Sequence, residues 1–160
     1  FASALSAEVR ESLVVRLSPS DYGWDLLERW KEFDPQVVIE PGIQAISKLW
    51  PKARLFVATY NATTFLESFR VGIPTVIFWN PEFWELSEDA KLLFGNLRQA
   101  SIFFDDPQKC ARHVNRIWHG VSDWWNSTEV QAAVSTFSQE YAYVGPKPIT
   151  ELAEALTVWP

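Results

Sequence analysis

The sequence has no methionine, one cysteine and two histidines in 160 residues. The single cysteine, Cys110, excludes an intrachain disulfide and a thiolate metal cluster. Neither a paired-cysteine nor an HExxH motif accompanies His113 and His119, so the residue supply speaks against a protein-built transition-metal site. Neither histidine is assigned a ligand or base role, and no cofactor is expected. No apolar run approaches the ~18 residues of a membrane span. Positive charge is scarce too. Fourteen Lys and Arg against 20 Asp and Glu give −6, which argues against broad binding to nucleic acid or anionic membranes. A local anion site remains open, because helix N-termini bind anions without net positive charge. Lacking an initiator Met and opening in the helical pattern FASALSAEVRESL, the chain reads as a fragment of a longer protein.

Apolar residues are plentiful. At 48% hydrophobic, the chain supports one folded domain that buries roughly 68–70% of its unfolded surface. Leu13–Leu17, Val37–Glu40, Leu55–Thr59 and Thr75–Trp79 are short apolar runs without alternation, and Ile102–Phe104 is a weaker fifth. Continuous runs fit strands covered on both faces of a parallel sheet. Helical patterns separate them at Trp24–Phe33, Ile43–Trp50, Thr64–Val71 and Ser87–Ala100. The rhythm predicts an α/β fold: a Rossmann-like parallel sheet with helices on both faces. From Pro107 the pattern is helical, over Pro107–His119, Ser127–Phe137 and Thr150–Leu156. Residues 1–145 are expected to form the domain. Residues 146–160, set off by Pro146 and Pro148, are expected to form a helix packing on this domain or on a missing one.

The stretch Thr59–Glu67, TYNATTFLE, places small hydroxyls and an amide between a strand and a helix. Ligands of open α/β sheets bind beyond the carboxyl ends of strands, where helix starts carry about half a unit of positive charge. Thr63 and Thr64 hydroxyls, with the free N–H groups of the helix, suit phosphate oxygens; Tyr60 and Asn61 lie on the approach. A competing reading is structural: Thr64-x-x-Glu67 is a capping box, in which both side chains satisfy the helix's own donors. Gly72 before Pro74 is an ordinary helix stop.

Strand, small polar loop, [ST]-x-x-E, short helix, G-[IV]-P, apolar strand and Pro-containing loop together resemble the C-terminal, donor-binding half of GT-B glycosyltransferases. TYNATTFLE and GIPTVIFWNPEFWEL, with Trp124-Trp125 downstream, resemble more closely a family of bacterial transferases of surface-carbohydrate biosynthesis, from Arg16 to about Tyr141. The resemblance implies a nucleotide-sugar donor, a carbohydrate acceptor, a missing N-terminal domain and a cytoplasmic location, at or near the inner face of the membrane. It makes Asn61, Thr63 and Thr64 diphosphate contacts and Glu67 the ribose contact, with Asn80 lining the same cleft. Where many GT-B loops carry a Gly pair, this chain has Tyr60-Asn61-Ala62. The alternatives are a non-catalytic α/β scaffold or regulatory domain, and a domain like the non-hydrolysing nucleotide-sugar epimerases.

Arg16, at a strand end, suits either a phosphate or a neighbouring carboxylate. Tyr22 and Trp24 form an aromatic pair in a turn, and core packing is the expected role of Trp24. Trp79 and Trp84 flank Asn80-Pro81 at a strand's carboxyl end and are set apart from the core tryptophans. Glu82 and Glu85 are candidate acceptors for ligand hydroxyls.

Overall fold

The computed structural model describes residues 1–157. Every strand pairs in parallel. Strands β1 (Val14–Arg16) and β2 (Val38–Glu40) pair with each other, while β3 (Phe56–Ala58), β4 (Thr75–Phe78) and β5 (Phe103–Phe104) form a second sheet in that order. The chain is therefore α/β, with parallel strands flanked by helices. The expected single sheet is divided into two hydrogen-bonded pieces among the described residues.

The unalternated apolar runs are explained at β3–β5. Successive residues of a strand point to opposite faces, and here both faces are covered. Ile77 and Phe103 pack on one side with Phe65 and Phe69 of α3 (Thr63–Arg70), Phe94 and Leu97 of α4 (Glu88–Gln99), and Val130 and Phe137 of α7 (Thr128–Tyr141). Val76 and Phe104 pack on the other with Val9 of α1 (Ala7–Glu11) and Cys110, Ala111 and Val114 of α5 (Pro107–Ile117). Aromatic rings fill the first layer; Phe94 and Phe137 meet edge to face with centroids 5.0 Å apart.

Four helix starts follow local chemistry. Ser6, Ser87, Asp106 and Ser127 each accept a hydrogen bond from a first-turn N–H of α1, α4, α5 and α7. α5 also carries Pro107 at its first position, where the missing N–H costs nothing. Between α5 and α7 lies a short helix not anticipated from the pattern, α6 (Val121–Trp125).

The expected helix at Ile43–Trp50 does not form. Two 3-10 turns, Ile46–Lys48 and Trp50–Lys52, take its place. Pro51 has no N–H with which to continue an α-helical hydrogen-bond ladder, and no side chain caps either start. The opening segment is likewise split into a 3-10 turn (Ala2–Ala4) and α1. Helix α2 (Leu26–Phe33) has no buried residue, and α8 (Pro148–Thr157) has none either. The part of the C-terminal segment expected at 158–160 lies outside the described residues. Trp24, expected in the core, is 60% exposed beside Tyr22.

Candidate functional site

The β3–α3 connection places the candidate residues at the carboxyl end of the three-stranded sheet. Phe65 and Phe69 fix α3, one helical turn apart and both buried in the aromatic layer. With those side chains seated, the helix begins at Thr63, not Thr64, and Ala62 occupies the capping position. Alanine offers no acceptor, so no side chain caps this start. The capping-box reading is thereby overturned: Thr64 and Glu67 both lie inside the helix, where neither can form its half of the box. Thr63 and Glu67 are exposed four residues apart on one face; Asn61 and Thr64 are half-buried.

A buried hydroxyl chain holds the helix from below. Ser68 Oγ donates to the carbonyl of Phe65 at 2.7 Å and lies 2.8 Å from Thr75 Oγ1 at the start of β4. Both residues are fully shielded from water. At the other end Gly72, with φ +74°, turns the chain out, and the Ile73 N–H closes back on the Ser68 carbonyl at 2.9 Å.

The loop after β4 lies beside the helix start. Rings of Tyr60 and Trp84 stand 6.2 Å apart, at 52% and 38% exposure, and join the loops that follow β3 and β4. Asn80 Oδ1 accepts from the Glu82 N–H at 3.0 Å and Asn80 Nδ2 donates to Glu82 Oε2 at 3.2 Å. The amide thus shapes its own turn. Trp79 and Trp84 part company. Trp79 is buried against Phe65, Phe94 and Phe103, a core residue after all, while Trp84 remains at the surface.

Arg16 lies on the other sheet. Its Nε approaches Glu40 Oε2 at 3.1 Å and its Nη2 donates to the carbonyls of Gly42 and Gln44 at 3.3 and 2.7 Å. The paired-carboxylate reading describes this geometry. Tyr60, Asn61, Thr63 and Thr64 share the β3–α3 connection and Asn80 lies in the loop after the neighbouring β4; Arg16 is engaged on the other sheet. Glu40 was not singled out in the sequence, and the only signal for it is a carboxylate ending an apolar run.

His113 is buried between Phe104 and Trp124, with ring centroids 5.3 and 5.1 Å away. Burial, reinforced by the adjacent Arg116, lowers its pKa to about 4, so it is neutral at pH 7. Burial pushes Cys110 up to about 12, so its thiol stays protonated at neutral pH. A groove of about 360 Å³ is lined by Phe1, Ala2, Ser3, Leu26, Arg29, Trp30 and Phe33. Among the described residues, no helix is long and apolar enough to cross a membrane.

Against known proteins, the sequence model described as LIC12162 family transferase matches residues 1–156. No curated protein and no solved structure matches the chain.

Proposed function

The chain belongs to the LIC12162 family of transferases, and from that premise we propose that it binds the donor, a nucleotide sugar, in a glycosyltransferase of bacterial surface-polysaccharide biosynthesis. The observation that carries the reading is the start of α3. It opens at a strand's carboxyl end with no capping side chain, as α2 and α6 also lack one, while α1, α4, α5 and α7 are each capped by Ser or Asp. Its first N–H groups and the dipole behind them offer a diphosphate both hydrogen bonds and positive potential. Asn61, Thr63 and Thr64 would add side-chain donors, and Glu67 would accept from ribose hydroxyls. Asn80 would act by shaping the loop that carries Trp84.

In this mechanism the helix start offsets charge on the diphosphate as the sugar–phosphate bond breaks, stabilising the leaving group. The acceptor and its general base would lie on a preceding domain, and this chain alone would transfer no sugar. Thermal shift and amide NMR test the reading. Nucleoside diphosphates should raise the melting temperature and move the amides of residues 60–67, with the matching nucleosides doing much less. Equal responses to nucleoside and diphosphate would remove the phosphate argument.

A further inference from the structure

The Trp124-Trp125 pair of α6 takes no part in the proposed donor site, yet it joins three parts of the fold. Trp125 Nε1 donates to the Gly72 carbonyl at 3.2 Å, and its ring lies 6.2 Å from that of Phe69. Both contacts fall at the C-terminal end of α3. Trp124 packs against both apolar layers of the core and meets the His113 ring of α5 edge to face, with centroids 5.1 Å apart. A helix of five residues does not stand on its own hydrogen bonds, so these contacts are what hold α6 in place.

The His113 end of this tie is sensitive to protons by construction. Arg116 Nη2 lies 2.9 Å from His113 Nδ1. A guanidinium has donors only, so Nδ1 accepts and the neutral ring carries its proton on Nε2. That nitrogen is buried without a hydrogen-bond partner, and so is the Trp124 indole nitrogen. A second proton enters at Nδ1, where it displaces the Arg116 donor and sets two cations side by side. Neighbouring charges give no relief. Asp105 pairs with Arg98 and Lys109, Asp123 of α6 is exposed, and His119 pairs with Glu8. With the ring only 4% exposed, water reaches an imidazolium there only when Phe104 or Trp124 moves. Phe104 is part of a strand in the sheet; Trp124 is half-buried on the short helix and is the one to yield.

We propose that His113 and Trp124-Trp125 form an acid-released clasp, in which protonation of His113 lifts α6 and frees the C-terminal end of α3 while the sheet stays folded. The inference does not depend on what α3 binds.

Amide hydrogen exchange on the whole chain, followed by NMR from pH 7 to 4 and divided by intrinsic rates, tests it. Gly72 and Ile73 are the reporters, because their N–H groups close the end of α3 onto Phe69 and Ser68. Opening returns His113 from a pKa of about 4 to its ordinary 6.5. Their opening equilibrium should therefore rise about tenfold per pH unit as pH falls from about 6 toward 4. The Ile77 amide, bonded within the sheet, reports global unfolding and should exchange at least about tenfold more slowly at each pH. His113→Gln should abolish the rise at Gly72 and Ile73. Trp125→Phe, which keeps a ring and removes the N–H, should speed their exchange about 5-fold at pH 7, the loss of one hydrogen bond. Imidazole nitrogen shifts at pH 7 should place the ring proton on Nε2. A pH-independent opening of Gly72 and Ile73 in the parent, or one that coincides with that of Ile77, would overturn the proposal. So would a ring proton found on Nδ1.

Discussion

In the half built on β3, β4 and β5, Val76 and Ile77 are wholly shielded from water, whereas Val14 and Val38 of the β1–β2 pair are more than half exposed. Both halves are written as short apolar runs with helical patterns between them. The difference lies in cover. β3–β5 receive helices on both faces, while α2, the helix between β1 and β2, buries none of its residues. One half is therefore held by apolar contact, and the other relies on the ion pair and hydrogen bonds around Arg16 and Glu40. An apolar run announces that a strand wants two neighbours; it does not provide them.

The comparison can be broken by truncation. Phe137→Ala, in the aromatic layer, should cost about 3–5 kcal/mol of unfolding free energy in urea. Val14→Ala should cost under ~1 kcal/mol, because little of that side chain leaves water on folding. Similar losses at the two sites would show that the β1–β2 half is as tightly built as the other.

Acid sharpens it next. His113 sits in the well-covered half with its pKa lowered to about 4 from an ordinary 6.5. In that interval the unfolded chain binds a proton that the folded chain resists, so stability should fall as pH drops from 6.5 toward 4 and the term should level off below. The loss should be on the order of 3 kcal/mol, read as a difference between the parent and His113→Gln pH profiles. Coincident slopes for the two proteins would place the histidine in contact with water.

A smaller effect belongs to the exposed half. Gly42→Ala forces a left-handed backbone and a collision with the Leu17 carbonyl. It should cost roughly 1–3 kcal/mol, with faster amide exchange confined to residues around β1 and β2. Uniform acceleration through β3–β5 would show that the halves unfold as one unit.

The smallest effects separate two kinds of helix start. Ser127→Ala removes a cap from α7 and should cost ~1 kcal/mol. Thr64→Ala should cost only a few tenths, since Thr64 lies inside α3 and threonine is a poorer helix former than alanine. It should nevertheless weaken diphosphate binding. A stability loss at Thr64 equal to that at Ser127 would reinstate the hydroxyl as a cap.

Much of the fold was legible where local signals and tertiary cover agreed. All five strands were anticipated from their apolar runs, and α4, α5 and α7 begin close to the Ser or Pro that marks them. The misreadings share a cause. Thr64 carries the right motif for a cap, but burial of Phe65 and Phe69 decides where the helix starts. Ile43–Trp50 has helical spacing, yet Pro51 and an uncapped start leave it as 3-10 turns. Trp24 and Trp79 exchanged roles because composition says only that an aromatic residue prefers cover, not which one obtains it. At the site, the positions of residues 60–64 after β3 and of Asn80 after β4 were readable, since neighbouring parallel strands deliver their following loops to one end. Arg16's partner was not, because the ion pair joins residues 24 positions apart on paired strands.

The hydroxyl chain from Phe65 through Ser68 to Thr75 has a thermodynamic meaning for anything that meets the start of α3. It fastens the helix to the central strand at a point with no access to water, so the first turn keeps its orientation whether or not an anion is present. A flexible phosphate loop must surrender chain entropy when it closes on its ligand, often several kcal/mol over a few residues. Here that loss has already been taken during folding. The N–H dipoles of the first turn are aligned by the fold itself, so under the proposed donor binding a diphosphate would have little of this segment left to order.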